Sequence, residues 1–308
     1  MPRSGAAGAL HPYASEAYAR TFPFESVWLP GSRTHVLLRP ISGTERVDAM
    51  GCYPLCVLSG TDGLDADFAL LRSRGVVSLV LVTDCLSQPG PDALAAKFDV
   101  CRPFKKHYTH DATAPNADYS KHHRDRVRRA LKSCEVREVP LAEHLDEWMK
   151  CYGTLVAKKG ISGIQDFDRS YFEKLAAVPG FFLVGAFVEG RMESGHIWLR
   201  HERLAYAHLA ASTPVGYKLR CAFPIYDYAI RALREHCVID FGGGAGLSTD
   251  GQDGLSQFKR GFANGERMNL LCGKVLDPEA YASLTAGRGV GAATFFPAYR
   301  APTPQEPT

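Results

Sequence analysis

No stretch limits what this chain can fold into more than residues 181–262, where the hydrophobic period switches from strand to helix and back. Three apolar runs open it, at 181–188, 195–200 and 204–212, separated by the polar pairs Glu189-Gly190 and His201-Glu202. Short runs rich in aromatics and punctuated by polar turns predict an antiparallel meander. Beyond a turn at 212–216, Phe223, Tyr226, Ala229, Ile230 and Leu233 recur at helical spacing, which predicts one helix over 219–236. A short strand at 238–241, a glycine-rich loop over 242–254 and a helical segment over 254–262 complete the series.

Composition sets wide bounds. The 308 residues are 45% hydrophobic and 22% charged, enough for a core and for about two domains. The net charge is only +3, so any nucleic-acid contact must come from local clustering. Nine cysteines, odd in number and without a C-x-x-C pair, predict free thiols. Cys52 and Cys56 are expected in a strand facing the core, and no metal-ligand spacing occurs. The chain opens without a basic start and apolar run, and its apolar runs fall short of the ~20 residues that cross a bilayer. A soluble, cytoplasmic protein with no membrane partner is expected, with frayed ends over 1–12 and 300–308.

The first hundred residues alternate in type, with strand-like 35–39, apolar 53–58, a helix over 64–72, a strand over 76–82 and a short helix over 92–98. This alternation predicts an α/β domain, and 102–111 reads as an edge strand leading out of it. Six lysines and arginines against one acid then fill 119–133. On a helix, Lys121, Arg124, Arg128 and Lys132 share one face, while Val127, Ala130 and Leu131 turn toward a core. Such a ridge is either a solvated face or a rail for phosphates. Amphipathic helices over 141–158 and 169–177 lead into the meander.

Five ordered motifs carry a family resemblance: the basic helix at 120–129, Phe181 to Arg191, Ala210 to Tyr217, Asp240-Phe-Gly-Gly243 and Phe258-Lys-Arg-Gly-Phe262. Together they resemble the Fem-type branch of the GCN5-related acyltransferase (GNAT) superfamily, nonribosomal peptidyltransferases that take an amino acid from aminoacyl-tRNA. The resemblance implies an α/β (α+β) fold of tandem GNAT-like halves, each a mixed, largely antiparallel sheet flanked by helices. The expected division is a degenerate copy at 1–116, a better-formed catalytic domain at 117–296 and a flexible tail at 297–308. It also implies that Lys259 steadies the charge developing on an ester under attack by an amine, with Phe258 shaping the pocket.

Further roles follow from the same resemblance. Lys121, Arg124, Arg128, Lys132, Lys218 and Arg220 are expected to bind tRNA phosphates, and Tyr171, Tyr206, Ser212 and Tyr217 to meet the acceptor. His208 is either a base for the attacking amine or a satisfied core residue. Acetyl-CoA relatives carry a Q/R-x-x-G-x-G/A loop where this chain has one glycine, Gly216, and Lys218 in place of the second. The run 242–246 lacks the features of a P-loop or dinucleotide loop and reads as a tight turn capped by Asp240. No nucleophile elbow is present. The expectation is a monomeric aminoacyltransferase with aminoacyl-tRNA as co-substrate and no cofactor. Having no long helical arm, it is expected to act on a small peptide-like or specialised-metabolite amine, as in antibiotic biosynthesis. Two rivals stand beside it, an acyl-CoA-dependent N-acyltransferase and a non-catalytic RNA-binding protein.

Overall fold

Apolar alternation along 25–82 builds the first sheet. Helix α1 (Glu16–Ala19) is capped by Ser15, whose Oγ accepts from Tyr18 N, and Tyr13 and Tyr18 are buried. His11 and Pro12, expected to fray, are buried with them. Strands β1 (Glu25–Leu29), β2 (Thr34–Pro40) and β3 (Val47–Gly51) pair antiparallel. The crossover helix α2 (Leu64–Ser73) then returns the chain so that β4 (Val76–Val82) lies parallel to β3. Leu64, Phe68 and Leu71 of α2 share a core with Leu79 and Leu81 of β4. The 53–58 run forms no strand, contrary to expectation. Pro54 offers no N–H to a ladder, and a single bridge joins Cys56 to Thr83, though both Cys52 and Cys56 are buried. Helix α3 (Pro91–Ala95) precedes β5 (Val100–Asp111).

The computed structural model describes residues 9–114, 118–160, 163, 166–233, 238–246, 251–286 and 295–301. Its contacts divide the chain into two units, Met1–Phe104 with Asn269–Thr308, and Lys105–Met268. After α4 (Lys121–Ala130) come β6 (Glu135–Val139), α5 (Leu145–Lys159) and α6 (Arg169–Leu175). The meander follows as expected in β7 (Phe181–Val188), β8 (Arg191–His201) and β9 (Leu204–Ser212). Val188 faces Arg191 across a two-residue turn in which Glu189 and Gly190 both have positive φ, 50° and 77°, the geometry that matches strand twist.

The expected helix begins later than 219, and the turn expected before it is itself helical. Helix α7 (Pro214–Leu219) ends at Arg220, which is left-handed at φ 60°, and α8 (Ala222–Leu233) restarts the chain. A continuous helix over 219–236 would put Pro224 in its interior at a cost of about 3 kcal/mol, whereas a first turn tolerates it. Residues 234–237 lie outside the described residues.

Strand β10 (Val238–Gly243), α9 (Gly254–Arg260), β11 (Gly265–Val275) and α10 (Pro278–Thr285) complete the chain. The second unit's sheet runs β5-β10-β9-β8-β7-β6. Its pairs are antiparallel except β9 with β10, which is parallel. Strand β5 is thus no edge strand, because the start of β11 lies on its other side. Trp198, Tyr226, Phe241 and Phe262 are fully buried in this unit's core.

Residues 269–301, expected in the second domain and a tail, cluster with the first unit, because Leu271–Val275 pair with β4. Tyr299 is buried and Arg300 pairs with Asp48, so 297–301 are packed. The remaining expected tail, 302–308, and residues 1–8 lie outside the described residues. No helix among the described residues is long and apolar enough to cross a membrane. The eight described cysteines are free thiols.

Candidate active site

The parallel pair creates the site. Strands β9 and β10 pair only over 204–206 with 238–240, and beyond that point β9 lines a cavity of ≈ 580 Å³ with residues 207–212. Strand β9 also carries a bulge: Ile197 faces Leu209 while Trp198 faces Ala207, leaving His208 as the extra residue. Phe223, Tyr226, Phe241 and Phe258 supply apolar walls, so the few polar groups inside act in a poorly hydrated space.

Lys259 lines this cavity. Its Nζ donates to the Gly243 carbonyl at 2.7 Å. Burial, partly offset by Asp240 and reinforced by Lys105, lowers its pKa to about 8. The nearby carboxylates bond elsewhere: Glu266 pairs with Lys106 and Asp253 caps α9. The Asp253 carboxylate accepts from the amides of Leu255, Ser256 and Ala245. Against burial, which raises it, the Ser256 hydroxyl and these amides hold Asp253 at about 2. The glycine loop wraps that cap: a Cβ on Gly244 would lie 2.1 Å from Ser256 Oγ, and Gly242 adopts φ 77°. Asp240 lies within β10 and not at its end; it accepts from Gly242 N at 2.7 Å, as a turn cap would, and bonds His107 at 2.7 Å. Burial would raise this carboxyl, but His107 and the amide hold it below its ordinary value.

Helix α4 is fastened directly to the lysine-bearing helix. His123 Nε2 donates to the Phe258 carbonyl at 2.9 Å, its Nδ1 meets Ser120 Oγ at 3.0 Å, and Ser120 N donates to the Gly261 carbonyl. Gly261 must be a glycine, since a Cβ there would sit 2.0 Å from the His123 ring. Lys121, Arg124, Arg128 and Lys132 are all exposed, with Arg128 touching Asp125 at 3.4 Å and Arg124 bonding the Tyr119 carbonyl. Val127 and Ala130 are buried as expected, whereas Leu131 is 45% exposed because the helix has ended one residue earlier.

The other expected site residues separate into two groups. Ser212, Tyr217 and Arg220 line the cavity with His208, Phe258 and Lys259. Ser212 bonds Ser194 Oγ at 2.7 Å, and the Lys158 ammonium lies 3.9 Å above the Tyr217 ring. Lys218 is exposed on the same short helix but does not line the cavity, and neither do Tyr171 and Tyr206, both buried. The Tyr171 hydroxyl shares a 2.9 Å hydrogen bond with His208 Nε2 and its ring stacks on Phe167. Burial lowers His208 to about 3, which suits a fixed neutral imidazole in the cavity floor and not a proton acceptor at neutral pH.

Two residues carry the site's electrostatics without a signature in the sequence. His196 on β8 lines the cavity with Nδ1 buried and unpartnered, opposite Ala210, which is too small to cover it. Burial and the charge on Lys259 lower it to about 3. Glu193 is buried at the start of α7, where its carboxylate accepts a hydrogen bond from the hydroxyl of the cap residue Thr213. Thr213 Oγ1 accepts from Gly216 N, and Tyr217 N is used by the Thr213 carbonyl. Gly216 packs so closely on β8 that a Cβ would lie 2.0 Å from the Glu193 carbonyl oxygen. That helix start is closed by protein groups and carries an acid where an anion would otherwise sit.

Residues 120–260 match the family model described as the acetyltransferase (GNAT) domain. That match lies within the second unit and covers the candidate site from α4 to α9. The fold of the chain is shared by FemX, with a TM-score of 0.67 over 88% of this chain and 93% of FemX at 13% identity. It is also shared by L-PGS from Bacillus licheniformis, with a TM-score of 0.56 over 88% of this chain and 94% of that one at 12% identity. No curated protein matches the chain at a significant level in sequence.

Proposed function

We propose that the second unit moves an aminoacyl group from aminoacyl-tRNA to the amine of a small peptide-like acceptor, acting as a monomer without a cofactor. The amine nitrogen attacks the ester carbonyl carbon, a C–N bond forms, the C–O bond to the ribose breaks, and the proton lost by the amine ends on the departing hydroxyl. The observation that carries this reading is Lys259, an ammonium held at the parting of β9 and β10 by the Gly243 carbonyl. On this reading negative charge develops beside it, first on the carbonyl oxygen and then on the leaving oxygen, in a cavity with aromatic walls. The tie from His123 to Phe258 sets the basic face of α4 at a fixed offset from that ammonium, as a rail for tRNA phosphates requires.

Coenzyme A fits less well. GNAT donors with phosphates use the helix start after the parted strand, and here Glu193 and Gly216 close it. The test is to incubate the protein with a pool of charged tRNAs and an extract of small amines, with and without ribonuclease. An amide product that vanishes on tRNA digestion is expected. A product that survives digestion and needs coenzyme A would replace this reading with its rival. Lys259→Ala is expected to lower turnover by ~10²-fold with the fold intact, and unchanged turnover would remove the lysine from the mechanism.

A further inference from the structure

The first unit has a cavity of its own, ≈ 610 Å³, lined by Arg39, Ser42 and Arg300 together with Val80, Leu284 and Phe296 among others. It lies outside the residues that match the GNAT model, and the transfer reaction makes no use of it. Its charge is unbalanced. Arg39 Nε donates to Asp48 Oδ1 at 3.0 Å, and Arg300 grips the same carboxylate through Nε at 2.5 Å and Nη2 at 3.1 Å. Asp48 is fully buried between them on β3, with the Tyr299 hydroxyl donating to it at 3.1 Å. One carboxylate thus serves two guanidiniums, and no Asp or Glu is among the described residues that line the cavity.

Arg300 is satisfied, its Nη2 also reaching the Pro40 carbonyl at 2.8 Å. Arg39 is not, for its Nη2 is buried with no hydrogen-bond partner. Leaving such a donor unmade costs about 1–3 kcal/mol or more for a charged group, a cost that a ligand acceptor would remove. Burial also lowers the Arg39 pKa, against the pull of Asp48, which marks a cation short of counter-charge.

We propose that this cavity binds a small organic anion, a carboxylate or phosphate on an apolar body, with Arg39 holding the head. Guanidinium groups favour planar oxyanions, and Val80, Leu284 and Phe296 beside the arginines offer contact to a body such as an aromatic ring. The volume is that of an ordinary small-molecule site.

Calorimetric titration of the full chain with phenyl phosphate, benzoate and neutral benzyl alcohol tests this. At least one of the two anions is expected to bind, the tighter one identifying the head group, while benzyl alcohol does not. Ser42 is exposed, so Ser42→Glu places a carboxylate at the rim without disturbing the core. It is expected to weaken anion binding by at least ~10-fold, and the equally large Ser42→Gln to leave it within about twofold. The proposal is overturned if neither anion binds, if benzyl alcohol binds as well as they do, or if Ser42→Glu and Ser42→Gln change affinity alike. Anions held instead by the lysines of the second unit would be indifferent to Ser42 and would overturn it too.

Discussion

Replacing Lys259 by methionine should make the second unit more stable while destroying its activity. The ammonium sits where burial has brought its pKa from 10.5 to about 8. At neutral pH that difference corresponds to roughly 3 kcal/mol of folding free energy spent on keeping the charge enclosed, an upper value because the side chain is partly open to the cavity. Methionine fills similar volume but leaves the Gly243 carbonyl without its donor, which returns about 1–2 kcal/mol. A net gain of about 1–2 kcal/mol, or a few degrees in melting temperature, is expected. The pH dependence fixes the cause. Between the folded value near 8 and the unfolded value of 10.5 the unfolded chain binds the extra proton, so wild-type stability rises with pH across that window. The advantage of Lys259→Met should therefore be constant below pH 8 and shrink toward pH 10.5. Urea unfolding of both proteins at pH 7 and pH 10 measures this. A methionine protein that is less stable at pH 7, by a margin that does not move with pH, would refute the claim that the lysine is held against its own solvation.

Three further outcomes follow from the same geometry. Reversing Lys121, Arg124, Arg128 and Lys132 to glutamate should weaken tRNA binding and lower the slope of log affinity against log salt by about 1 for each phosphate no longer neutralised; an unchanged slope would free the ridge of any RNA role. Gly216→Ala should destabilise the fold by about 1–3 kcal/mol or more, read by urea unfolding, because its Cβ would fall 2.0 Å from a strand carbonyl. His123→Ala should lower turnover by about 10-fold through a displaced Lys259, with tRNA affinity also reduced; unchanged turnover in steady-state kinetics would detach His123 from the placing of the lysine.

Much of the second unit was legible because its signals are local. The Glu189-Gly190 turn announces a hairpin, the charges of 121–132 announce an exposed face, and Lys259 stands in a motif with a known setting. What stayed hidden depends on partners far apart in sequence. Nothing near His123 reveals that its imidazole reaches a carbonyl 135 residues away. His196 was missed because β8 is buried at eight successive positions, so no alternation marks which residue faces the cavity. The helical period over 219–236 was real, yet Pro224 decided where a helix could begin. In the first unit, Asp48 looks like any polar residue between strands until Arg39 and Arg300 close on it from 9 and 252 positions away.

On the proposed reading, these long-range contacts would turn the cleft away from a phosphate-bearing thioester. Opening the parallel pair supplies the same gap whatever the donor, so donor choice must reside in the anion-holding groups around it. Here the amides of α7 that would hold a pyrophosphate are spent on Thr213, and the acid of Glu193 repels a second anion. Positive charge lies instead at the cavity rim, on Lys158, Lys159 and Arg220, and along α4. If tRNA is the donor, an extended polyanion would engage both rim and ridge. Glu193→Gln separates the two donors, because it removes the repulsion without opening the helix start. If tRNA is the donor its turnover should be nearly unchanged, and a several-fold gain in coenzyme A affinity with no loss of that turnover is the expected pattern. A loss of turnover with tRNA, at unaltered stability, would mean that Glu193 acts on the reacting groups and not as a barrier to a rival donor.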